Sequence, residues 1–175
     1  MSKILVLNGS PRKGGNTEML VNAFKNGAEM TGHEVEVVYV QGKNIKGCMA
    51  CDACKKTGVC VQKDDMAEVL KSAREADALV VASPMYFYGL TGQLKCCYDR
   101  LYAMGESNIK KTGMLLVCAD ESPAAFDGVV TAHKANAEFD KWEYVGEVRA
   151  CGVHGKGDIL QTAFLEQAEE LAEKF

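Results

Sequence analysis

No apolar run in this chain approaches the roughly 18 residues needed to cross a bilayer. The apolar run within residues 1–7 is far too short for the core of a signal peptide. An excess of positive charge is also missing. Lys and Arg total 20 against 24 Asp and Glu, for a net charge of −4. A surface built to hold nucleic acid phosphates normally carries a basic field. The expectation is therefore a cytoplasmic protein with neither nucleic acid nor membrane as partner. Internal repeats, low-complexity tracts and a Pro/Gly/Ser-rich linker are absent too. With 47% hydrophobic residues in 175, one domain over residues 1–175 has enough apolar side chain for its own core. No Ser/His/Asp or Cys/His catalytic set occurs. Of three histidines, His33 and His154 have no partner at motif spacing. His133 continues the helical stripe of Phe126, Val129 and Val130 and reads as a packing residue.

Strand and helix signals alternate along the chain. Residues 4–7 form a short continuous apolar run. Asn16 and Thr17 open a helix with Leu20, Phe24, Gly27, Ala28 and Thr31 on one side, ended by Gly32. Val35, Val37 and Tyr39 mark a second strand. Asp64 and Asp65 put negative charge at the start of a helix bearing Met66, Val69, Leu70 and Ala73. Strands are expected at residues 78–82, 114–119 and 144–153, and helices at 92–104 and 123–139. Asp158 is expected to cap a last helix with Leu160, Phe164, Gln167, Leu171 and Phe175 on one side. Such alternation implies a parallel sheet covered on both faces. The first, third and fourth strands are apolar throughout and belong in the middle. Glu34, Glu36, Glu147 and Arg149 place the second and fifth at the edges. The fold class is α/β, a flavodoxin-like three-layer sandwich with a five-stranded parallel sheet in the order 2-1-3-4-5. Ligands of such sheets bind beyond the carboxyl ends of the strands where the order reverses.

The loop after the first strand, residues 8–17, joins a buried strand to a helix start. Backbone N–H groups, hydroxyls and the helix dipole make an anion site there. Ser10, Asn16 and Thr17 can donate hydrogen bonds, and Arg12 offers a fork of them. Gly9 to Gly14 begins like a P-loop. The Lys and Ser/Thr that should follow are Gly15 and Asn16, so nucleotide hydrolysis is not expected. The dinucleotide fingerprint G-x-G-x-x-G is also missing. A polar turn without a ligand is the alternative.

Gly9-Ser10-Pro11-Arg12 with Gly15-Asn16-Thr17 resembles the phosphate loop of the flavodoxin-like NAD(P)H-dependent FMN reductases. Ser83-Pro84-Met85-Tyr86-Phe87-Tyr88-Gly89, followed by Gly92-Gln93-Leu94-Lys95 and Asp99-Arg100, resembles that family's loop after the third strand and its next helix. The resemblance covers roughly residues 3–104 and continues beyond only by element order. It implies that Ser10, Arg12, Gly15, Asn16 and Thr17 hold the FMN phosphate, and that Pro84, Met85, Tyr86, Phe87 and Gly89 lie along the isoalloxazine. It also implies NAD(P)H as electron donor, a small-molecule acceptor or ferredoxin-like carrier, and a homo-oligomer whose neighbouring subunit completes the pocket. No side chain is needed as acid or base, because flavin N5 carries the chemistry. The loop after the fourth strand departs from the family with Asp120 and Glu121, two acids that would oppose a negatively charged reduced ring. Ala119 is assigned there as a backbone contact. Asp99 and Arg100 read as a structural pair or helix-surface charges.

Four of the eight cysteines, Cys48, Cys51, Cys54 and Cys60, lie in a 22-residue stretch, 42–63, without a clear strand or helix pattern. Connections that long in a compact domain are usually functional or disordered. The first three repeat the C-x2-C-x2-C of bacterial ferredoxins. The quartet also looks like that of the iron–sulfur flavoproteins, a branch of the same superfamily, and there the resemblance implies a 4Fe–4S cluster near FMN. Zinc and free or redox-active thiols are the other readings. The loop follows the second strand and is expected on the same rim as the flavin. Two functions follow: an FMN oxidoreductase fed by NAD(P)H, or an iron–sulfur flavoprotein exchanging electrons with a ferredoxin.

Overall fold

Five short runs of branched and aliphatic residues fold into one parallel sheet in a computed structural model that describes residues 1–175. The strands are β1 (Lys3–Asn8), β2 (Glu34–Tyr39), β3 (Ala78–Pro84), β4 (Lys111–Val117) and β5 (Glu143–Ala150), in the order β2-β1-β3-β4-β5. The three inner strands are almost wholly buried, and the outer two alternate toward solvent. That contrast is the one their composition requires. Both the fold class and the strand order agree with the sequence reading.

Helices α1 (Asn16–Met30) and α6 (Phe164–Ala172) cover one face of the sheet. Leu20, Phe24 and Ala28 of α1 pack with Ala168 and Leu171 of α6 over Ile4, Val6 and Val80. Gly27 allows these helices to touch. A Cβ there would stand 2.8 Å from the backbone of Glu169. The other face carries α3 (Met66–Glu75), α4 (Gly92–Asp99) and α5 (Asp127–Asp140), with Met66, Leu70, Leu94, Cys97 and Val130 over Leu5, Leu79 and Met114. No helix is long and apolar enough to cross a membrane.

Several boundaries differ from the sequence expectation. The helix expected over 92–104 ends at Asp99 and tightens into a 3₁₀ turn at Arg100–Met104. The helix expected from Pro123 begins as a 3₁₀ turn, Pro123–Phe126, capped by Ser122 Oγ on Ala124 N–H. Asp158 does not start the last long helix. It starts a short turn, Asp158–Gln161. Its carboxylate accepts the N–H groups of His154 and Gly155, which draws it back onto the preceding loop. The cysteine stretch contains one short helix, α2 (Ala53–Thr57).

His133 of α5 is a buried packing residue with a full set of partners. Thr112 Oγ1 spends its proton on Leu79 O, so it accepts from His133 Nε2 at 2.9 Å. His133 Nδ1 then accepts from the Tyr98 hydroxyl at 2.7 Å. This is the neutral imidazole, and burial pushes its pKa down to about 4. The unfolded chain takes up this proton near pH 6.5 while the folded chain resists it. Stability from this site is complete above pH 6.5 and is lost as pH falls toward 4, by roughly 3 kcal/mol. Urea unfolding of wild type and His133→Gln across that range should show the pH-dependent part flattened in the variant.

Candidate functional site

The order of the sheet decides where a cavity opens. The connection from β1 leads to α1 on one face, and that from β3 leads to α4 on the other. The loops therefore part at the carboxyl ends of these neighbouring strands. A concavity of about 210 Å³ lies there. It is lined by Ser10, Arg12, Gly15, Asn16, Thr17, Pro84, Met85, Tyr86, Val117, Cys118, Ala119, Val153 and His154. The structure thus gathers nine of the eleven residues expected around a cofactor, from three separate loops. Phe87 and Gly89 do not line it.

The wall supplied by the first loop is prepared for an anion. Asn8 Oδ1 accepts Ser10 N–H at 2.9 Å, and Ser10 Oγ accepts Arg12 N–H at 3.2 Å, which curls the loop tightly. Helix α1 begins after Gly15, which has no side chain to cap it. The N–H groups of Asn16, Thr17 and Glu18 have no acceptor within the chain. Unsatisfied amides at the positive end of a helix dipole attract negative charge. The Arg12 side chain is exposed and makes no ion pair. Thr17 is buried with its hydroxyl unspent. Asn16 lines the cavity while its side chain is engaged elsewhere. Its side chain donates to Gly155 O at 2.7 Å and accepts from Gly157 N at 2.8 Å. Its carboxamide therefore fastens the loop after β5 beside the cavity, and its backbone N–H is left without an acceptor.

The opposite wall is apolar. Met85 N–H extends the sheet by bonding Val117 O. Tyr86 and Gly89 then exchange two hydrogen bonds around a two-residue turn. Phe87 and Tyr88 sit in the left-handed region at φ 52° and 60°. Such values are costly for aromatic residues and mark a mirror-type hairpin turn. The turn leaves Pro84, Met85 and part of Tyr86 facing the cavity and sends the Phe87 ring wholly into solvent. This is why Phe87 falls outside the pocket. Asp120 and Glu121 fall outside as well. Asp120 Oδ1 turns back to accept Ser122 N–H at 2.8 Å.

Sequence reasoning missed Val117, Cys118, Val153 and His154 in the lining. The fourth strand ends at Val117, earlier than expected, so its last residues reach the rim. Val153 and His154 arrive through the Asn16 tether, which spans 139 residues to Gly155 and leaves no local sequence signal.

The four clustered cysteines line a second concavity, of about 180 Å³. Cys48 and Cys51 are exposed, and Cys54 and Cys60 are half-buried. Asp99, Arg100, Tyr102 and Ala103 supply its other wall. It shares no lining residue with the first cavity. The stretch is long enough to run down the helix layer, and Arg74 in the last turn of α3 holds Gly58 O at 3.0 Å. Beneath it, Asp64 and Arg100 form an ion pair of 2.5 Å with side chains 3% and 1% exposed. The guanidinium holds the Asp64 carboxyl below the usual carboxylate range. The expected surface role of Arg100 is therefore corrected. Asp99 does pair on the surface, with Lys95, but Arg100 extends the buried stripe Leu94, Cys97 at helical spacing. No group of three or more Cys, His, Asp or Glu is arranged to hold a single metal ion.

Gly9, next to the lining residue Ser10, packs tightly against the start of α4. A Cβ there would lie 2.6 Å from Leu94 Cβ and 2.8 Å from Thr91 Oγ1. Thr91 also donates to Gly9 O at 2.9 Å and caps α4. Gly9→Ala should destabilise the fold by about 1–3 kcal/mol through overpacking, seen as a lower urea midpoint at unchanged m-value.

Comparison with known proteins places this geometry among relatives. Residues 2–134 match the family described as NADPH-dependent FMN reductase. An iron-sulfur flavoprotein of Archaeoglobus fulgidus is 41% identical over 97 residues, which cover 55% of this chain and 44% of that protein. One of Methanocaldococcus jannaschii is 40% identical over 98 residues, covering 56% of this chain and 51% of that protein. The chain spans about half the length of the curated relatives it matches. An NAD(P)H:quinone oxidoreductase from Methanothermobacter marburgensis has the same fold, with TM-score 0.74 and 16% identity over 98% of this chain and 95% of the other.

Proposed function

This chain belongs to the NADPH-dependent FMN reductase family, and from that premise we propose that it is an FMN oxidoreductase taking electrons from NAD(P)H and passing them to a small acceptor or an electron carrier. The observation that carries this reading is the uncapped start of α1 facing an apolar wall across one cavity. The residues present fit FMN. The N–H groups of Asn16, Thr17 and Glu18, the Thr17 hydroxyl and the free Arg12 fork suit a dianionic phosphate. Pro84, Met85 and Tyr86 suit one face of a flat tricycle. Gly15 lets the chain approach the phosphate, and Ala119 offers its unpaired N–H at the rim. When bound, FMN supplies two-electron exchange with the nicotinamide and one- or two-electron delivery onward. The protein's own part is to bind, orient and shield. The Asn16 tether holds His154 at the mouth. The exposed Phe87 and Tyr88 give a second copy of the chain an aromatic surface to cover.

A second reading, an iron–sulfur flavoprotein exchanging electrons with a ferredoxin-like carrier, is favoured by the cysteine concavity and by the character of the 40% identical relatives. Cys48, Cys51, Cys54 and Cys60 border one space, and four closely spaced thiolates suit a small iron–sulfur cluster.

Protein purified without air should take up FMN. Stopped-flow mixing with NADPH should then bleach the flavin absorbance at a rate that supports turnover. Binding without bleaching removes the nicotinamide reductase and leaves the electron-transfer reading. Arg12→Ala should weaken FMN binding roughly ten-fold, the loss of one charge-assisted hydrogen bond at about 1.5 kcal/mol, as measured by fluorescence titration.

A further inference from the structure

We propose that Arg100 is the positioning residue of the four-cysteine site, clamping both ends of the cysteine loop and donating a hydrogen bond to the Cys60 sulfur that would ligate the sulfur-rich group held there. The proposal rests on the reading of that loop as the seat of an iron–sulfur cluster.

Arg100 is the only Lys or Arg buried in the chain, 2% exposed. Its Nη1 donates to Lys46 O at 3.1 Å, two residues before Cys48. Its Nη2 donates to Cys60 Sγ at 3.4 Å. One planar group therefore touches the chain on either side of the cysteine run. Asp64 completes the clamp from beneath. Its Oδ2 accepts Arg100 Nη1 and Lys46 N–H, and its Oδ1 accepts Met66 N–H at the start of α3. The loop's entry, its last cysteine and the next helix are thus tied through two side chains.

Stability alone does not account for this arrangement. Burying an ion pair costs desolvation that its attraction only partly returns. In addition, Arg100 Nε is buried without any partner, which adds to that cost. What the pair does achieve is a guanidinium fixed behind the cysteine concavity with its Nη2 on Cys60 Sγ, a sulfur that an iron–sulfur cluster would take as ligand. Two lysines around the loop, Lys43 and Lys55, are instead committed to Glu68 and Asp52 near solvent, where their fields are screened. Hydrogen bonds to cluster sulfurs and ligating thiolates raise the reduction potential and slow ligand loss.

The test compares wild type, Arg100→Lys and the control Lys95→Gln, all purified without air and loaded with FMN. Iron and acid-labile sulfide are assayed, iron release to a chelator is timed, and the midpoint potential is followed by EPR. Lysine keeps the charge but loses the fork. The expected result for Arg100→Lys is iron release about ten-fold faster and a midpoint shifted to lower potential, with Lys95→Gln matching wild type. Wild-type protein without iron and sulfide overturns the cluster reading and this role with it. Iron-loaded wild type with an indistinguishable Arg100→Lys overturns the role of Arg100 alone, as does an equal change in the control. If Arg100→Lys fails to fold, the neutral pair Arg100→Gln with Asp64→Asn replaces it. Iron retention at the wild-type rate in that pair also overturns the proposal.

Discussion

Parallel pairing of β1 with β2 on one side and β3 on the other constrains everything else in this molecule. A parallel strand must be followed by a crossover, and right-handed crossovers in opposite directions must lie on opposite faces of the sheet. At the one place where the direction changes, the loops cannot close over the strand ends. The gap so produced is filled by no side chain of its own. The two loops are held close together by the approach of Gly9 to Leu94 and Thr91, and the walls are set by what the two loops present. One wall is the bare start of a helix and the other the apolar run of Pro84, Met85 and Tyr86. The chemistry argued for the site is a consequence of this division.

Much of the architecture was legible because buried parallel strands and amphipathic helices leave periodic signals. The runs at Ile4 and Leu79 have no polar interruption, whereas Glu34 and Arg149 betray the edges. Lining residues local to a loop were legible for the same reason. Ser10, Arg12, Thr17, Met85 and Tyr86 follow their strands at once. Contacts between distant loops were not. Nothing near Asn16 indicates that its carboxamide is spent on Gly155 and Gly157. Nor does anything near Phe87 announce that φ 52° turns its ring away. Helix ends were misjudged where tertiary packing tightens a last turn, as at Arg100.

The cysteine loop illustrates a different limit. Its spacing suggested the sulfur chemistry but not its position. Length let the loop descend along α3, where Arg74 holds Gly58 and Arg100 reaches Cys60. A buried arginine in a helix is recognisable from its place on an apolar stripe, here with Leu94 and Cys97. Its neighbour Asp99 bonds Lys95 on the surface and invites the wrong assignment for the pair. Two adjacent charges with opposite surroundings follow from the 100° turn between successive helix positions.

The tether from Asn16 has a topological effect. It joins the first βα connection to the segment after the last strand, so elements near the two ends of the chain meet across the sheet. Local opening of residues 155–157 must break both amide bonds to Asn16 and uncover the start of α1. Breathing at either place exposes the other, and the two connections form one cooperative unit in the native ensemble. Occupancy of the cavity would therefore slow amide exchange far along the sequence, in backbone that the bound molecule never touches.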